Sequence, residues 1–332
     1  MTRATSAVMR RCVITKFGAV ASASPSRPRL RPRYSLLHSY CPPYSSRMAS
    51  SVTLPDDRVL SYSLDTTPDG PVVLLSNSLC APYGAWEHVV KHLNEHGYRT
   101  LRYDQPGHGL SSAPAALDTT FDSMADDVRY LLTKLDISKL HAWIGVSMGA
   151  SAGVYFATKY PGVVGKLAIC DTISSSPVNA GVEDAFGPRV AAAREANNLN
   201  TTIQSTLERW FGKAWLENNR QEAHRMRTVM SGTSVDGFET CCHALRSKTF
   251  DLRPLLAKVG ASVEDAVCVV GENDANLPQA MAGMRDSVEE GFKDAGKEKI
   301  IDLVVIEDAG HVCFVDGLQQ FIQFMTGWLK RS

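Results

Sequence analysis

The chain has 332 residues, of which 44% are hydrophobic and 21% charged, a composition typical of a globular protein with one large α/β domain or two smaller ones. Lys plus Arg and Asp plus Glu both total 35, but residues 1–55 hold nine of the basic residues and no acidic residue. The rest of the chain therefore carries a formal charge of −9, which excludes an evident nucleic-acid footprint because phosphate binding needs clustered Lys and Arg.

The cysteines and the apolar runs exclude two further classes. None of the eight cysteines forms the paired C-x-x-C spacing of a zinc site. Cys170 and Cys268 lie in apolar runs and are typical of buried core thiols, which fits a reducing compartment best. No apolar run approaches the ~20 residues that a membrane span needs. We therefore expect no metal, no cofactor, no nucleic-acid partner and no membrane partner.

The first 47 residues do not have the pattern of a folded element. They are rich in Arg, Ser and Ala and contain no acid, which is typical of a mitochondrial transit peptide. Alternating Pro and Arg in "SPSRPRLRPRY" excludes a helix there, and we expect residues 1–50 to be a disordered leader. Met48 begins a stretch that looks like a natural start, so a dispensable leader or a wrongly assigned start codon are alternatives. The expected location is cytoplasmic or mitochondrial.

Strand and helix patterns alternate from residue 52 onward. In chain order they predict a strand at 58–65, a strand at 71–79, a helix at 84–97, a strand at 98–104, a helix at 121–136, a strand at 141–147, a helix at 148–161, a strand at 164–172, strands at 264–274 and 299–310, and a C-terminal helix. Alternating βα units predict a mostly parallel sheet with helices on both faces. Residues 174–249 are largely helical in pattern, which predicts a cap inserted into one domain spanning 51–332.

The stretch "GVSMG" places Ser147 between Gly145 and Gly149 in the spacing G-x-S-x-G. It follows a predicted strand and opens a predicted helix, which is the context of a nucleophile elbow. The neighbours have to be small because larger side chains would collide with the turn and the adjoining strand. A serine hydroxyl is a poor nucleophile by itself, so a base is expected within hydrogen-bond reach.

The candidate base is His311 in "EDAGHVCF", because it lies on the loop after the last predicted strand. Most of the other histidines fall in the leader, on helix faces or at the start of a strand. His108, in the loop "DQPGHGLSS" near the predicted mouth, is the serious competitor.

The candidate acid is Asp274, which the stretch "VVGENDANLP" places at the C-terminal end of a strand, in a loop closed by Pro278. The acid holds the imidazole in the right tautomer and stabilises the imidazolium as it forms. Asp171, after the preceding strand, is the alternative, and Glu272 is the next. The chain order Ser, Asp, His is the order of hydrolases with this elbow.

An ester-cleaving site also needs donors for the developing oxyanion. The N–H of Met148, directly after the nucleophile, is one, and the free N–H groups at the start of its helix lie at the same corner. The other is expected on the loop after "PVVLLSNSL". We assign it to the N–H of Leu79, with Cys80 as the alternative one residue on.

Taken together, these motifs resemble the α/β-hydrolase superfamily and, within it, the 3-oxoadipate enol-lactonases, over roughly residues 53–330. "SNSL" resembles that family's oxyanion loop, "RYDQPGHGLSSAP" its Arg-Tyr-Asp loop, and "GVSMG" its elbow. "LERWF" and "GFETCCHALRSKTFDLR" are similar to its helical cap. The resemblance implies an α/β-hydrolase fold with a cap, and carries over Ser147, Asp274 and His311 as the triad and Leu79 and Met148 as oxyanion donors.

The resulting expectation is a metal-free serine hydrolase that cleaves a small ester or lactone through an acyl-enzyme. Gln105-Pro106 stands where Thr-Arg is frequent in the family, the loop after His311 reads "VCFVDGLQQF", and "SVEEGFKDAGKEK" is longer than expected. These departures leave the substrate open. C–C bond hydrolysis, thioester hydrolysis and secondary-metabolite esterase or lactonase chemistry are alternatives on the same fold. A non-catalytic ligand receptor is an alternative of another class.

Polar residues of the cap could meet a substrate carboxylate. Arg225, His224 and Arg246 are the candidates, and a solvated helix face is the competing interpretation for all three.

Overall fold

The computed structural model describes residues 49–66 and 69–331, so the expectations for residues 1–48 lie outside the described residues. One sheet contains eight strands: β1 (Ser50–Thr53), β2 (Val59–Leu64), β3 (Val72–Ser76), β4 (Arg99–Tyr103), β5 (Leu140–Val146), β6 (Val164–Cys170), β7 (Asp265–Gly271) and β8 (Asp302–Ile306). Their order across the sheet is β1-β2-β4-β3-β5-β6-β7-β8. β1 begins at Ser50, the last residue that the sequence assigns to the leader.

The sheet is mostly parallel, which confirms the expected fold class. β1 pairs with β2 and β2 with β4 in antiparallel register, and every pairing from β4 to β8 is parallel. Every residue of β3, β6 and β7 is buried. Strands with two buried faces need a helical layer on each side of the sheet, and their continuous apolar runs reflect this requirement.

The described residues contain thirteen α-helices. They are α1 (Glu87–Glu95), α2 (Phe121–Lys134), α3 (Met148–Lys159), α4 (Pro177–Ala180), α5 (Gly187–Ala196), α6 (Asn200–Phe211), α7 (Lys213–Asn218), α8 (Arg220–Met230), α9 (Val235–Arg246), α10 (Arg253–Ser262), α11 (Leu277–Asp294), α12 (Cys313–Asp316) and α13 (Leu318–Leu329). α1 packs on α13, whereas α2, α3, α10 and α11 pack on one another in series. Helices α4–α9 follow one another between β6 and β7. None of the helices in the described part is long and apolar enough to cross a membrane.

Two helices, α10 and α11, were not predicted from the sequence. Pro278 lies in the first turn of α11 and not in a loop. Proline is favoured there because the first turn of a helix has no use for its missing N–H, and its fixed φ suits the helix.

A buried lysine fastens the C-terminal helix to the sheet. The ammonium group of Lys166, in β6, donates to the backbone carbonyl oxygens of Trp328 and Leu329, each at 3.1 Å. These are carbonyl groups at the end of α13, which have no partner inside the helix. The cation therefore stabilises both the end of α13 and the packing of this helix on the sheet.

The strand order brings distant parts of the chain to one edge of the sheet. β3 lies next to β5, so the loop after Ser76 lies beside the turn after Val146. β6, β7 and β8 follow on the other side of β5, each parallel to its neighbour. The carboxyl ends of all five strands therefore share one edge, and all the candidate residues follow such an end.

Candidate active site

Ser147 occupies a strained turn between β5 and α3. Its backbone has φ 54° and ψ −119°, a conformation that residues other than glycine rarely adopt. A Cβ on Gly145 would lie 2.3 Å from the carbonyl oxygen of Gly149, and a Cβ on Gly149 would lie 2.3 Å from that of Ser76. Both glycines are therefore required by contact, one inside the turn and one against β3.

A hydrogen-bonded relay joins Ser147, His311 and Asp274. The Ser147 Oγ lies 2.9 Å from Nε2 of His311, and Nδ1 of His311 lies 2.7 Å from Oδ2 of Asp274. A carboxylate can only accept, so Nδ1 carries the proton and Nε2 is left to accept the serine proton. Asp274 is 6% exposed and His311 8% exposed, so both partners act in a largely dry environment.

The loop that carries His311 is held by a helix from outside the sheet. The N–H of His311 donates to the carbonyl oxygen of Trp210, in α6, at 3.3 Å. The Trp210 ring stacks on the imidazole with centroids 5.8 Å apart and planes 28° apart. On the other side, the N–H of Gly310 donates to Oδ2 of Asp316 at 2.7 Å. Sequence reasoning assigned no role to Trp210 or Asp316.

The alternative acids have other partners. Asp171 is fully buried at the end of β6, and its Oδ1 accepts the N–H of Gly271 at 2.8 Å. Burial, and then the nearby charge of Asp274, raise the pKa of Asp171 well above its usual range. Glu272 is exposed and accepts the N–H of Asp308 at 3.1 Å. Among the described residues, only Asp274 accepts a hydrogen bond from the His311 ring.

The competing histidine, His108, is buried, and both of its ring nitrogens are engaged. Nε2 lies 3.0 Å from the backbone nitrogen of Cys80, and Nδ1 lies 3.0 Å from the carbonyl oxygen of Pro106. Burial lowers the pKa of His108 to about 4. With neither nitrogen facing Ser147, His108 is not available to that hydroxyl as a base.

The two candidate oxyanion donors flank the elbow. The close contact of Gly149 with Ser76 places the loop that carries Leu79 beside the start of α3, where Met148 lies. Neither the Leu79 nor the Met148 N–H donates to another described residue. The Cys80 N–H, by contrast, is taken by His108. That hydrogen bond takes up the alternative donor, Cys80, while the Leu79 N–H has no partner among the described residues.

Two arginines that sequence reasoning did not single out lie next to the site. Arg189, in α5, and Arg209, in α6, are each without a carboxylate in ion-pair range among the described residues. Burial and the adjacent Arg189 charge lower the pKa of Arg209, whereas the Asp274 and Cys80 side chains raise it. The residue as a whole is nonetheless exposed to solvent.

The cap arginines named from the sequence are occupied elsewhere. Arg225 forms an ion pair with Glu222 at 2.5 Å, and Arg246 forms one with Asp184 at 2.5 Å. The motif "LERWF" already contained Arg209 and Trp210, but only the placement of α6 over the sheet edge shows where they lie. Within the described ranges, no group of three or more His, Cys, Asp or Glu side chains is arranged to hold a metal ion.

The comparisons with known proteins agree with this fold. Residues 71–221 match the family model for the alpha/beta hydrolase fold. The chain is 27% identical over 286 residues to 3-oxoadipate enol-lactonase 1 of Acinetobacter baylyi, covering 84% of this chain and 96% of that one. The crystal structure of the enol-lactonase from Burkholderia xenovorans LB400 superposes with a TM-score of 0.73 and 25% identity, covering 85% of this chain and 100% of that one.

A third relative has a different activity in its name. The 2-hydroxy-6-oxononadienedioate/2-hydroxy-6-oxononatrienedioate hydrolase of Escherichia coli is 27% identical over 79% of this chain and 88% of its own. The fold is the α/β-hydrolase fold, and these relatives support a hydrolase. Within that class, the chain resembles the 3-oxoadipate enol-lactonases.

Proposed function

We propose that the protein is a serine esterase or lactonase whose substrate carries a carboxylate. The observation that carries the proposal is the relay from Ser147 through His311 to Asp274, with 2.9 Å and 2.7 Å between successive heteroatoms. These are hydrogen-bond distances, and they join a nucleophile, a base and an acid that orients the base.

The reaction begins with attack of the Ser147 Oγ on the substrate carbonyl carbon while His311 Nε2 takes the serine proton. Asp274 stabilises the imidazolium that forms. The tetrahedral oxyanion accepts hydrogen bonds from the N–H groups of Leu79 and Met148, which have no other partner among the described residues. His311 then protonates the leaving oxygen, and the C–O bond of the ester or lactone breaks.

Water resolves the acyl-enzyme in the second half of the reaction. His311 removes a proton from the water as it attacks the acyl carbon, and returns that proton to the Ser147 oxygen as the second tetrahedral intermediate collapses. For an enol-lactone, opening of the ring leaves the enol on the acyl chain that is bound to Ser147, and this enol converts to the ketone without further protein groups. No metal ion enters these steps.

The substrate class follows from charge. Arg189 and Arg209 place two positive charges near Cys80, on the loop of the candidate oxyanion donor, and neither has a carboxylate in ion-pair range among the described residues. Guanidinium groups bind carboxylates through paired hydrogen bonds, and do so more strongly in a recess than in open water. The resemblance to 3-oxoadipate enol-lactonases supports the same class.

Hydrolysis of a C–C bond in a ring-cleavage product is the second candidate, favoured by the 27% identity to the hydrolase of Escherichia coli. A substrate panel separates the two: a carboxylate-bearing enol-lactone, its methyl ester, a neutral nitrophenyl ester, a thioester and a vinylogous 1,5-diketone. We expect the highest kcat/KM on the anionic lactone, and no turnover of any of them by Ser147→Ala. Turnover of the diketone alone would support the second candidate. A complete lack of Ser147-dependent turnover would favour a ligand receptor.

A further inference from the structure

His108 holds a turn in the loop that carries Leu79. Its Nε2 accepts the N–H of Cys80 at 3.0 Å, and its Nδ1 donates to the carbonyl oxygen of Pro106 at 3.0 Å. A backbone N–H can only donate, so the proton of the neutral ring is on Nδ1. The ring is fully buried, and no described carboxylate pairs with it. The donor and the acceptor of this neutral imidazole are therefore both hydrogen-bonded to backbone groups.

The turn itself requires such support. The carbonyl oxygen of Ser78 accepts the N–H of Ala81 at 3.1 Å, which closes a four-residue turn with Leu79 and Cys80 in the middle. Cys80 has φ 64°. A positive φ at the third residue is the mark of a type II turn, where glycine or asparagine is preferred. Positive φ is strained for a cysteine, and the hydrogen bond from its N–H to His108 opposes a rotation of the Leu79–Cys80 peptide, which directly follows the peptide that carries the Leu79 N–H.

Leu79 is thus held from both sides by one segment of the chain. On its N-terminal side, Nε2 of Gln105 donates to the carbonyl oxygen of Asn77 at 2.7 Å. On its C-terminal side, His108 accepts the Cys80 N–H. These two hydrogen bonds, from Gln105 and His108, hold the backbone on either side of Leu79.

The segment is itself fixed from behind by the connection between α8 and α9. The carbonyl oxygen of Gly107 accepts the N–H of Ser234 at 3.0 Å and its hydroxyl at 2.9 Å. The N–H of Gly109 donates to the carbonyl oxygen of Gly232 at 2.9 Å. The backbone on both sides of His108 therefore has little room to follow the turn if the turn moves.

We propose that His108 is a positioning residue, which keeps the Leu79 N–H directed at the oxyanion by accepting the N–H of Cys80. The proposal rests on the proposed function, because it assigns Leu79 to that reaction. His108 touches neither the substrate nor Ser147. Its contribution is to hold the second donor where the charge develops, at a turn whose own sequence does not favour the required conformation.

The test removes or keeps the acceptor at nearly constant volume. His108→Gln supplies an oxygen that can accept the Cys80 N–H, whereas His108→Met and His108→Phe supply none of comparable strength. Loss of an oxyanion donor typically costs about 10²–10³ in kcat, so a displaced donor should cost about 10- to 100-fold. We expect that loss for the Met and Phe variants on an ester substrate, with KM within about threefold and the Gln variant within about threefold of wild type in kcat.

A second substitution distinguishes positioning from packing. Glycine adopts positive φ without strain, so Cys80→Gly should hold the turn without help. In the Cys80→Gly background, His108→Met should lower kcat by less than about threefold. An equal loss in both backgrounds would show that His108 acts through packing alone and would overturn the proposal.

A readout independent of turnover completes the test. Amide hydrogen exchange at Cys80 in the full chain should accelerate in His108→Met and stay slow in His108→Gln, with near-UV circular dichroism confirming that each variant is folded. Fast exchange with unchanged kcat, or reduced kcat with unchanged exchange, would overturn the proposal. If Ser147→Ala kept the turnover, the proposed function would fail, while the exchange at Cys80 would still show whether His108 holds the turn.

Discussion

Trp210 contacts His311 through both its backbone and its side chain. Its carbonyl oxygen accepts the His311 N–H at 3.3 Å, and its ring stacks on the imidazole at 5.8 Å. A Cβ on Gly310 would lie 1.8 Å from the same carbonyl oxygen, so only glycine lets the two segments approach this closely. The candidate base is therefore oriented by α6, in the helical segment between β6 and β7, as well as by Asp274.

Asp274→Asn should lower kcat by about 10⁴ without a large loss of stability. The amide N–H₂ group can donate to Nδ1 of His311, which favours the tautomer with the proton on Nε2, and that tautomer cannot accept the serine proton. The matched control is Asp171→Asn. Asparagine is close to aspartic acid in shape, and its amide oxygen can still accept the Gly271 N–H. Steady-state kinetics on one ester measures both. The opposite ranking of the two variants would move the acid to the end of β6.

Gly149→Ala should destabilise the protein and reduce turnover together. Its Cβ would lie 2.3 Å from the carbonyl oxygen of Ser76 and 2.7 Å from that of Asn77, so β3 and α3 would be forced apart. Overpacking of this kind costs about 1–3 kcal/mol or more. Gly283, in α11, has nothing within 4 Å of a built Cβ, and Gly283→Ala should stabilise by about 0.5–1 kcal/mol. Urea unfolding gives both values, and a neutral Gly149→Ala would contradict the tight contact.

The stability of the fold should depend on pH through His108. Its pKa in the folded protein is about 4, below the ordinary value of 6.5, so the folded state binds fewer protons than the unfolded chain between these values. The contribution is fully present above pH 6.5 and is lost as the pH falls toward 4. Its full size is about 3 kcal/mol. The free energy of unfolding of the wild type should therefore fall relative to that of His108→Gln as the pH is lowered from 7 to 4.5.

Comparison with the variant is necessary because buried carboxyl groups, Asp104 and Asp316 among them, act in the opposite direction. Burial raises the pKa of Asp104 to about 7 and that of Asp316 to about 6. In the folded protein these carboxyl groups keep protons that the unfolded chain releases, so their contribution to the free energy of unfolding falls as the pH rises. Both are present in the wild type and in His108→Gln, so the difference between the two curves isolates the histidine. A constant difference would show that His108 does not titrate in this range.

Arg209→Met should raise KM for a carboxylate-bearing lactone by about 10- to 100-fold, the range for losing a charged hydrogen bond of about 1.5–3 kcal/mol. A neutral nitrophenyl ester should be hydrolysed as before, because it carries no charge that could pair with the guanidinium group. Arg227→Met is the control, since Arg227 is exposed on α8 and donates to Gln204. Equal effects on the charged and neutral substrates would show that Arg209 does not recognise the substrate carboxylate.

The strands were easier to predict than the helices. Continuous apolar runs located β3, β6 and β7 because a strand buried on both faces has no polar alternation to confuse its pattern. α11 was missed because Gly283 and Gly291 weaken a helical pattern. Gly291 is explained only by the packing, since a Cβ there would lie 2.1 Å from the carbonyl oxygen of Ala257 in α10. That contact joins two helices that are distinct in sequence, so no local sequence pattern indicates it.

The candidate site divides in the same way. Spacing and chain order pointed to Ser147, Asp274 and His311, because the elbow has a local signature and the other two follow strand ends. Arg189 and Arg209 could not be located from the sequence, since their position depends on how α5 and α6 lie over the sheet edge. The role of His108 was equally hidden, because a histidine in a loop near the mouth has the same pattern whether its nitrogens face a substrate or the backbone.

The backbone contact between the loop of Gly107 and the start of α9 restricts how a substrate can enter. A Cβ on Gly107 would lie 2.2 Å from the Cα of Gly237, and a Cβ on Gly237 would lie 2.2 Å from the carbonyl oxygen of Gly107. This corner cannot act as a hinge without breaking a contact between two main chains. α5 is tied to α9 by ion pairs from Arg194 to Asp236 and Glu239, whereas α7 has no buried residue and has the least packing to lose by moving away. Entry of substrate and release of product are therefore expected to occur by local movement of α7, while the contact between Gly107 and α9 stays closed.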